Sequence, residues 1–494
     1  MVKEKGNRVL ANSFFNIISV IINRGGGIVF TIILARILNP ELFGLYNLTL
    51  SVALTLMSLG NFGIDEAASR YISANYKKNK NKAKAYFDYL LKLKVVILIS
   101  AAAILILFAQ PISSFYKTPD LQFPLFMSAI YLVIMSLSQF ISYLFYTFEN
   151  VKVFAIRETI FQGLRVSLLP LIFFATVAYR VSGVFVVLTV VALFSLFFSL
   201  FVLSKKYKFL FKKTKETKIN KGEVFNYLKF LALGSLTGAF FLYIDVLILG
   251  KFVSLEFLGF YRAASAIVLS VIGLVTIVPV LYPLLSQNSN MKLNNLFNKS
   301  IHYSSIITIP ASIGLLFIAK PFIELIYGVQ YIPSAIPLYV LSLLIFSAGT
   351  GDLFTSVLNA KGKSKYTANA LIISTILNII LNFLLIILLL PLGEIYAVLG
   401  AAVATILTRY LNFFMVAIFS RKLLNLKASY STFIKPLISS SIMALYLVGF
   451  NRIINVKTNL LILVIEIITA AVVYFLVLFL IKGISKKDFK ALKR

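Results

Sequence analysis

Six ionisable side chains stand where hydrocarbon is expected. Arg24, Arg165 and Arg409, and against them Asp245, Asp352 and Glu466, all fall inside long apolar runs. A charged group near a bilayer centre costs about 2.5–3.5 kcal/mol on insertion scales, so such groups face a cavity or each other and mark a pathway. A buried guanidinium needs an anion or water, and its planar fork matches phosphate. Three arginines against two aspartates in the body of the chain predict an electropositive interior, and Arg36, Lys251 and Arg262 add positive charge at one rim. The candidate substrate-binding residues are therefore Arg24, Arg165, Arg409, Arg262 and Asn23. Asp245 and Asp352, the only deep carboxylates expected in that body, have two readings: they balance the arginines, or they bind a coupling ion.

Polar neighbours extend these points into stripes. Asn12, Asn16, Ser19, Asn23 and Gly27 align on the first helix. Asp352, Thr355, Ser356 and Asn359 form a second stripe, Ser374, Asn378 and Asn382 a third, and Thr405, Thr408, Arg409 and Asn412 a fourth, all at helical spacing. Such residues either line a wet face or hydrogen-bond packed helices together. Gly25, Gly26 and Gly27 interrupt the first helix, which reads either as close packing or as a hinge for a lateral gate.

The elements that must carry these residues are membrane helices. The chain has 494 residues, is 60% hydrophobic and has a mean hydropathy of +0.94. Apolar runs long enough to cross about 30 Å of hydrocarbon recur throughout. They predict about fourteen helices, at 12–38, 44–66, 87–109, 123–147, 158–178, 183–204, 226–250, 259–284, 301–320, 336–358, 367–390, 397–419, 433–451 and 459–481. Runs such as Ile376 to Pro391 do not alternate, which argues against a β-barrel. The net charge of +31 lies in the gaps between apolar runs, the distribution that orients a membrane protein and not one that binds nucleic acid. Alternate gaps and both ends hold 33 Lys and Arg, and the remaining gaps hold 8, which places both termini in the cytoplasm of a multi-pass cell-membrane protein. The basic start Met1 to Arg8 is not read as a cleaved signal, because Asn16, Asn23 and Arg24 break the apolar run behind it. Without cysteine, disulfides, thiol chemistry and cysteine-bound metals are excluded; the single histidine, His302, reads as interfacial. No nucleotide-binding loop, metal-ligand cluster or serine-hydrolase elbow is present, so no cofactor, metal or catalytic residue is assigned and the chain does not read as an enzyme.

The chain is also duplicated. Ala35-Arg36-Ile37-Leu38-Asn39-Pro40-Glu41-Leu42-Phe43-Gly44-Leu45-Tyr46 returns 215 residues later as Gly250-Lys251-Phe252-Val253-Ser254-Leu255-Glu256-Phe257-Leu258-Gly259-Phe260-Tyr261. Pro111 and Tyr116 match Pro321 and Tyr327, Asn150 and Lys152 match Asn359 and Lys361, and Gly183 matches Gly400. Six helices per copy is an even number, so the two copies run parallel. The predicted architecture is an all-α polytopic membrane protein with two parallel six-helix repeats around a central cavity, plus a C-terminal helical hairpin. Its parts are an N-terminal bundle (1–210), a basic cytoplasmic linker (211–224), a C-terminal bundle (225–428) and a final pair of helices with a basic tail (429–494).

The pattern Ala35-Arg36-x-Leu38-x-Pro40-x-x-Phe43-Gly44-x-Tyr46 resembles the first hairpin of the polysaccharide and lipid-linked oligosaccharide flippases of the multidrug/oligosaccharidyl-lipid/polysaccharide exporter superfamily. Asp245, Gly250, Gly259, Tyr261 and Ala264 continue the resemblance, as do Pro321, Tyr327-Gly328, Tyr331, Ser334-Ala335, Asn359-Ala360-x-Gly362, Asn378-x-x-x-Asn382 and Gly400-Ala401-Ala402-x-Ala404-Thr405. The likeness covers about residues 8–425. It implies a V-shaped pair of bundles working by alternating access, with no cofactor. The implied partners are a polyprenyl-phosphate- or pyrophosphate-linked glycan, membrane lipids and glycan assembly proteins, with no nucleic acid. Arg24 matches the first-helix arginine of a cationic cavity in this superfamily; Arg165 and Arg409 rest on the charge argument alone. The alternatives are a lipid II-type flippase, a drug/cation antiporter of the same superfamily and, further off, a membrane-embedded polysaccharide polymerase or ligase.

Overall fold

The computed structural model describes residues 2–61, 63–212, 217–276, 290–426, 429–453 and 459–484. Among them every regular element is helical. By internal packing the chain divides into two compact units, residues 1–251 and 252–494.

The first unit carries α1 (Val2–Ile37), α2 (Pro40–Asn61), α3 (Ile64–Tyr76), α4 (Lys80–Leu107), α5 (Ala109–Phe115), α6 (Gln122–Thr147), α7 (Val151–Ser167), α8 (Arg180–Lys206) and α9 (Lys221–Phe252). The second carries α10 (Leu255–Val275), α11 (Asn290–Tyr327), α12 (Ala335–Leu341), α13 (Leu344–Ala360), α14 (Ser364–Leu389), α15 (Glu394–Leu424), α16 (Ser431–Ile453) and α17 (Leu460–Leu480). The packing boundary lies beyond the 211–224 linker read from the repeat, because α9 is fastened to the first unit at both ends. Near its start the Tyr71 hydroxyl donates to Glu223 at 3.3 Å and Arg70 lies 4.5 Å over the Tyr227 ring. Burial, reinforced by Glu223, pushes the Tyr71 hydroxyl above its ordinary range and keeps it a donor. Near the other end Tyr116 donates to the Leu247 carbonyl at 3.2 Å, and burial pushes its hydroxyl up to about 12.

Eleven stretches among the described residues are long and apolar enough to cross a membrane, or twelve if Val329–Leu341 and Leu344–Ala360, bent by 42°, form one broken span. Of the fourteen expected crossings, 158–178 and 226–250 are not among these stretches; the second falls on α9, some of whose side chains lie outside those described, and other runs differ in their bounds. The expected crossing at 158–178 is helical only to Ser167; the tight 3₁₀ segment Leu169–Phe174 follows, at Pro170, which has no N–H to extend the ladder. The expected 44–66 helix breaks at Gly63, where φ is +70° and a Cβ would fall 2.3 Å from Leu231 Cβ, so only glycine fits. Beyond it α3 occupies the first half of what reads as a loop. α10 stops at Val275, and the rest of its expected run lies outside the described residues. The two copies of the duplicated motif do each join two helices: α1 to α2, where Asn39 Oδ1 accepts from the Leu42 N–H at 2.8 Å, and α9 to α10.

Packing is inside-out relative to a water-soluble protein. α17 leaves Leu461 71% and Leu480 77% exposed while burying Glu466 completely, the arrangement expected of a helix facing lipid. Small hydroxyls join helices from within: Ser138 of α6 donates to Ser195 of α8 at 3.1 Å, and Ser142 and Ser199 lie 3.2 Å apart one turn on. In the second unit Pro310 interrupts the ladder of α11. Its missing N–H frees the carbonyl four residues back, that of Ile306, which accepts the Tyr474 hydroxyl of α17 at 2.8 Å.

Candidate substrate-binding site

In the first unit the predicted residues meet along the seam between α1 and α7. Asn23 donates through Nδ2 to Glu158 Oε2 at 2.7 Å. Glu158 in turn accepts from Arg157 Nη1, and Arg157 Nη2 donates to Ser138 Oγ at 2.9 Å, joining the seam to the serine pair of α6 and α8. Arg24, next to Asn23, is half-buried. One turn beyond Phe161, the Arg165 guanidinium lies 4.2 Å over the Phe30 ring of α1 and 5.7 Å over Phe161. Its Nε is buried with no hydrogen-bond partner among the described residues.

α1 runs through Gly25, Gly26 and Gly27 as one unbroken helix, so the expected interruption is absent. At Gly26 the need is close approach: an added Cβ would sit 2.8 Å from Gln162 Cβ. At Gly27 it would meet Arg165 Nη2 at an ordinary 3.7 Å, and at Gly25 it would meet nothing within 4 Å. Gly26→Ala is expected to push α1 off α7 and lower stability by about 1–3 kcal/mol. Gly25→Ala should raise it by up to about 1 kcal/mol through helix propensity. Thermal midpoints in detergent check both; shifts of the same sign would remove the packing argument.

In the second unit Asp352 of α13 and Arg409 of α15 lie within electrostatic reach of each other. Arg262 of α10 is half-buried and its charge reaches Tyr327 at the end of α11. Asp245 is buried on α9 and belongs to the first unit. One hydrogen bond joins two of the predicted stripes. Asn378 donates to Thr408 Oγ1 at 3.0 Å across α14 and α15, and Ser374, Asn382 and Thr405 are buried in the same helix pair. Thr367 similarly donates to Asn359 at 2.7 Å.

The sequence reading missed two ion pairs. Arg157 and Glu158, placed at the edge of a gap, are both buried. Lys94 of α4, fully buried, meets Asp65 of α3 at 2.5 Å and lies 5.4 Å over the Phe140 ring. Asp245 and Asp352 are therefore not the only acids held inside the helical body. One signal was available for the first pair: Glu158, Gln162 and Arg165 recur at helical spacing, as the recognised stripes do.

Lipid-facing helices around buried charges, arranged in this order, define an all-helical polytopic membrane protein. Its fold is shared with a lipid II flippase MurJ in an inward closed conformation, at a TM-score of 0.72 and 16% identity over 98% of this chain and 100% of that one. An inward-facing multidrug resistance MATE family transporter of the MOP superfamily also matches, at a TM-score of 0.62 and 12% identity, over 83% and 96% of the two chains. The chain belongs to the Polysaccharide biosynthesis protein family, whose model matches residues 9–289. It is 28% identical over 280 residues to the probable low-salt glycan biosynthesis flippase Agl15 of Haloferax volcanii. That match spans 56% of this chain and 58% of the relative's length.

Proposed function

We propose that the protein is a flippase that moves lipid-linked oligosaccharide or polysaccharide precursors from the cytoplasmic to the outer leaflet by alternating access. The observation that carries this reading is the set of arginines inside otherwise apolar helices: Arg24 and Arg165 in the first unit, Arg409 in the second. A phosphate or pyrophosphate between a prenyl tail and a glycan is an anion that such groups recognise. The relative's description as a probable glycan flippase supports the same reading. Arg262 and Asn23 complete the substrate-binding set, and Gly25, Gly26 and Gly27 are the points at which α1 would bend. The full crossing count is fourteen in two parallel repeats plus a hairpin, with both termini cytoplasmic.

Cells lacking the protein should accumulate unaltered lipid-linked precursor on the cytoplasmic face, and a reporter at the C-terminus should read cytoplasm. Precursor elongated or trimmed by purified protein would overturn the reading in favour of an enzyme. In vesicles with an imposed proton or Na⁺ gradient, Asp245→Asn and Asp352→Asn should lose gradient dependence if these carboxylates couple transport. Wild-type dependence in both would leave them as charge balance.

A further inference from the structure

From the packed interior of the first unit a chain of polar contacts runs to the residue before Arg24. The serine pair Ser138–Ser195 holds Arg157, Arg157 holds Glu158, and Glu158 accepts from Asn23, the residue before Arg24. Arg157 and Glu158 are both buried, so their places are set by packing on α6 and α8. Asn23 lies on the exposed side of that seam and is joined to it by a single 2.7 Å bond. Arg157 donates to one carboxylate oxygen, Oε1, and the other, Oε2, accepts from a helix that carries a candidate ligand residue.

We infer that Glu158 is a positioning residue: through Asn23 it fixes the rotation and depth at which α1 presents Arg24. The bond is charge-assisted and shielded on the Glu158 side, so it is stronger than a surface contact between neutral groups. Around the carboxylate the charged and titratable groups are Arg157 and Arg165 on α7 and Tyr146 at the end of α6. Only Arg157 makes a direct ion pair with it among the described residues. The functional weight of this assignment rests on the proposal that Arg24 binds the anionic carrier, but its geometry can be read separately.

The chain contains no cysteine, so Arg24→Cys gives a single thiol whose reaction with a charged thiosulfonate reports the exposure of position 24. Asn23→Ala, which leaves the buried ion pair intact, should raise the labelling rate by about tenfold, the scale on which a hydrogen bond to a charged group acts. Arg157→Gln with Glu158→Leu removes both charges and the acceptor, and should raise it equally. Arg157→Gln with Glu158→Gln keeps an acceptor oxygen for Asn23 but not its charge, so its rate should fall between the reference and the Gln/Leu variant. With Arg24 in place, the Gln/Gln variant should retain more glycan export than the Gln/Leu variant at equal membrane abundance. An unchanged labelling rate in Asn23→Ala overturns the inference even if the double variants fail to insert. Normal export in Arg24→Ala together with the expected labelling pattern would instead retain the positioning and reject the anion-binding role.

Discussion

Arg24→Ala and Arg409→Ala are each expected to abolish surface glycan export while the protein still inserts at normal abundance. Removing an arginine from a span relieves about 2.5–3.5 kcal/mol of insertion penalty, so failure to enter the membrane is not the expected cause of loss. What disappears is the charge that would hold a phosphate oxygen. Lysine at either position should retain part of the activity, since charge survives but the bidentate fork does not. Arg409 has Asp352 within reach, so its alanine variant also leaves an acid uncompensated. Pairing Arg409→Ala with Asp352→Asn separates the two effects: export that returns in the double variant makes Arg409 a counter-charge, and export that stays absent makes it a ligand. Normal glycan export in both single alanine variants would reject the anion-binding assignment.

Lys94→Met is the second large effect. The lysine is fully buried and its Asp65 partner is only 13% exposed, so the substitution strands a carboxylate that water reaches only in part. Breaking one side of such a pair costs about 3–5 kcal/mol, whereas replacing both sides with apolar groups of similar size is often neutral. Lys94→Met should therefore lower the thermal midpoint of the detergent-solubilised protein sharply. Adding Asp65→Leu should recover most of the loss. Methionine conserves the stem that packs near Phe140, which keeps cavity formation out of the comparison. A midpoint unchanged in Lys94→Met would mean that the pair does not hold α3 against α4.

The parts legible in the sequence were those with a local signature. Apolar runs gave most crossings, and the duplicated motif fell at the α1–α2 and α9–α10 turns, where Asn39 caps its helix and Ser254 stands at the corresponding position without a capping bond. The parts that were not legible depend on which residue meets which. Asp65 and Lys94 are 29 residues apart, and nothing in their spacing says that they touch. Arg157 and Glu158 stand side by side at the start of an apolar run, where a charged pair reads as the wet edge of a gap; burial by α6 and α1 is a tertiary fact. Helical spacing found the stripe Ser374, Asn378 and Asn382 but left its direction open; all three are buried, and the bond to Thr408 decides for glue at Asn378. Only a neighbour such as Gln162 explains why Gly26 tolerates no side chain when Gly25 has room.

The hydroxyl of Tyr474 changes how the last two helices should be regarded. By repeat counting they are an appendix to a finished molecule, the natural place to shorten it. Yet they supply the donor for a carbonyl that α11 exposes at its proline, and a bare carbonyl in hydrocarbon costs several kcal/mol. The hairpin works as a splint on a helix that lacks one bond of its own ladder. A lineage that dispensed with it would first have had to mend the gap, by replacing Pro310 or by recruiting another hydroxyl to Ile306. Missing bond and splint are in that sense a single inherited character, and a designer who wanted a version without the hairpin would have to remove both together.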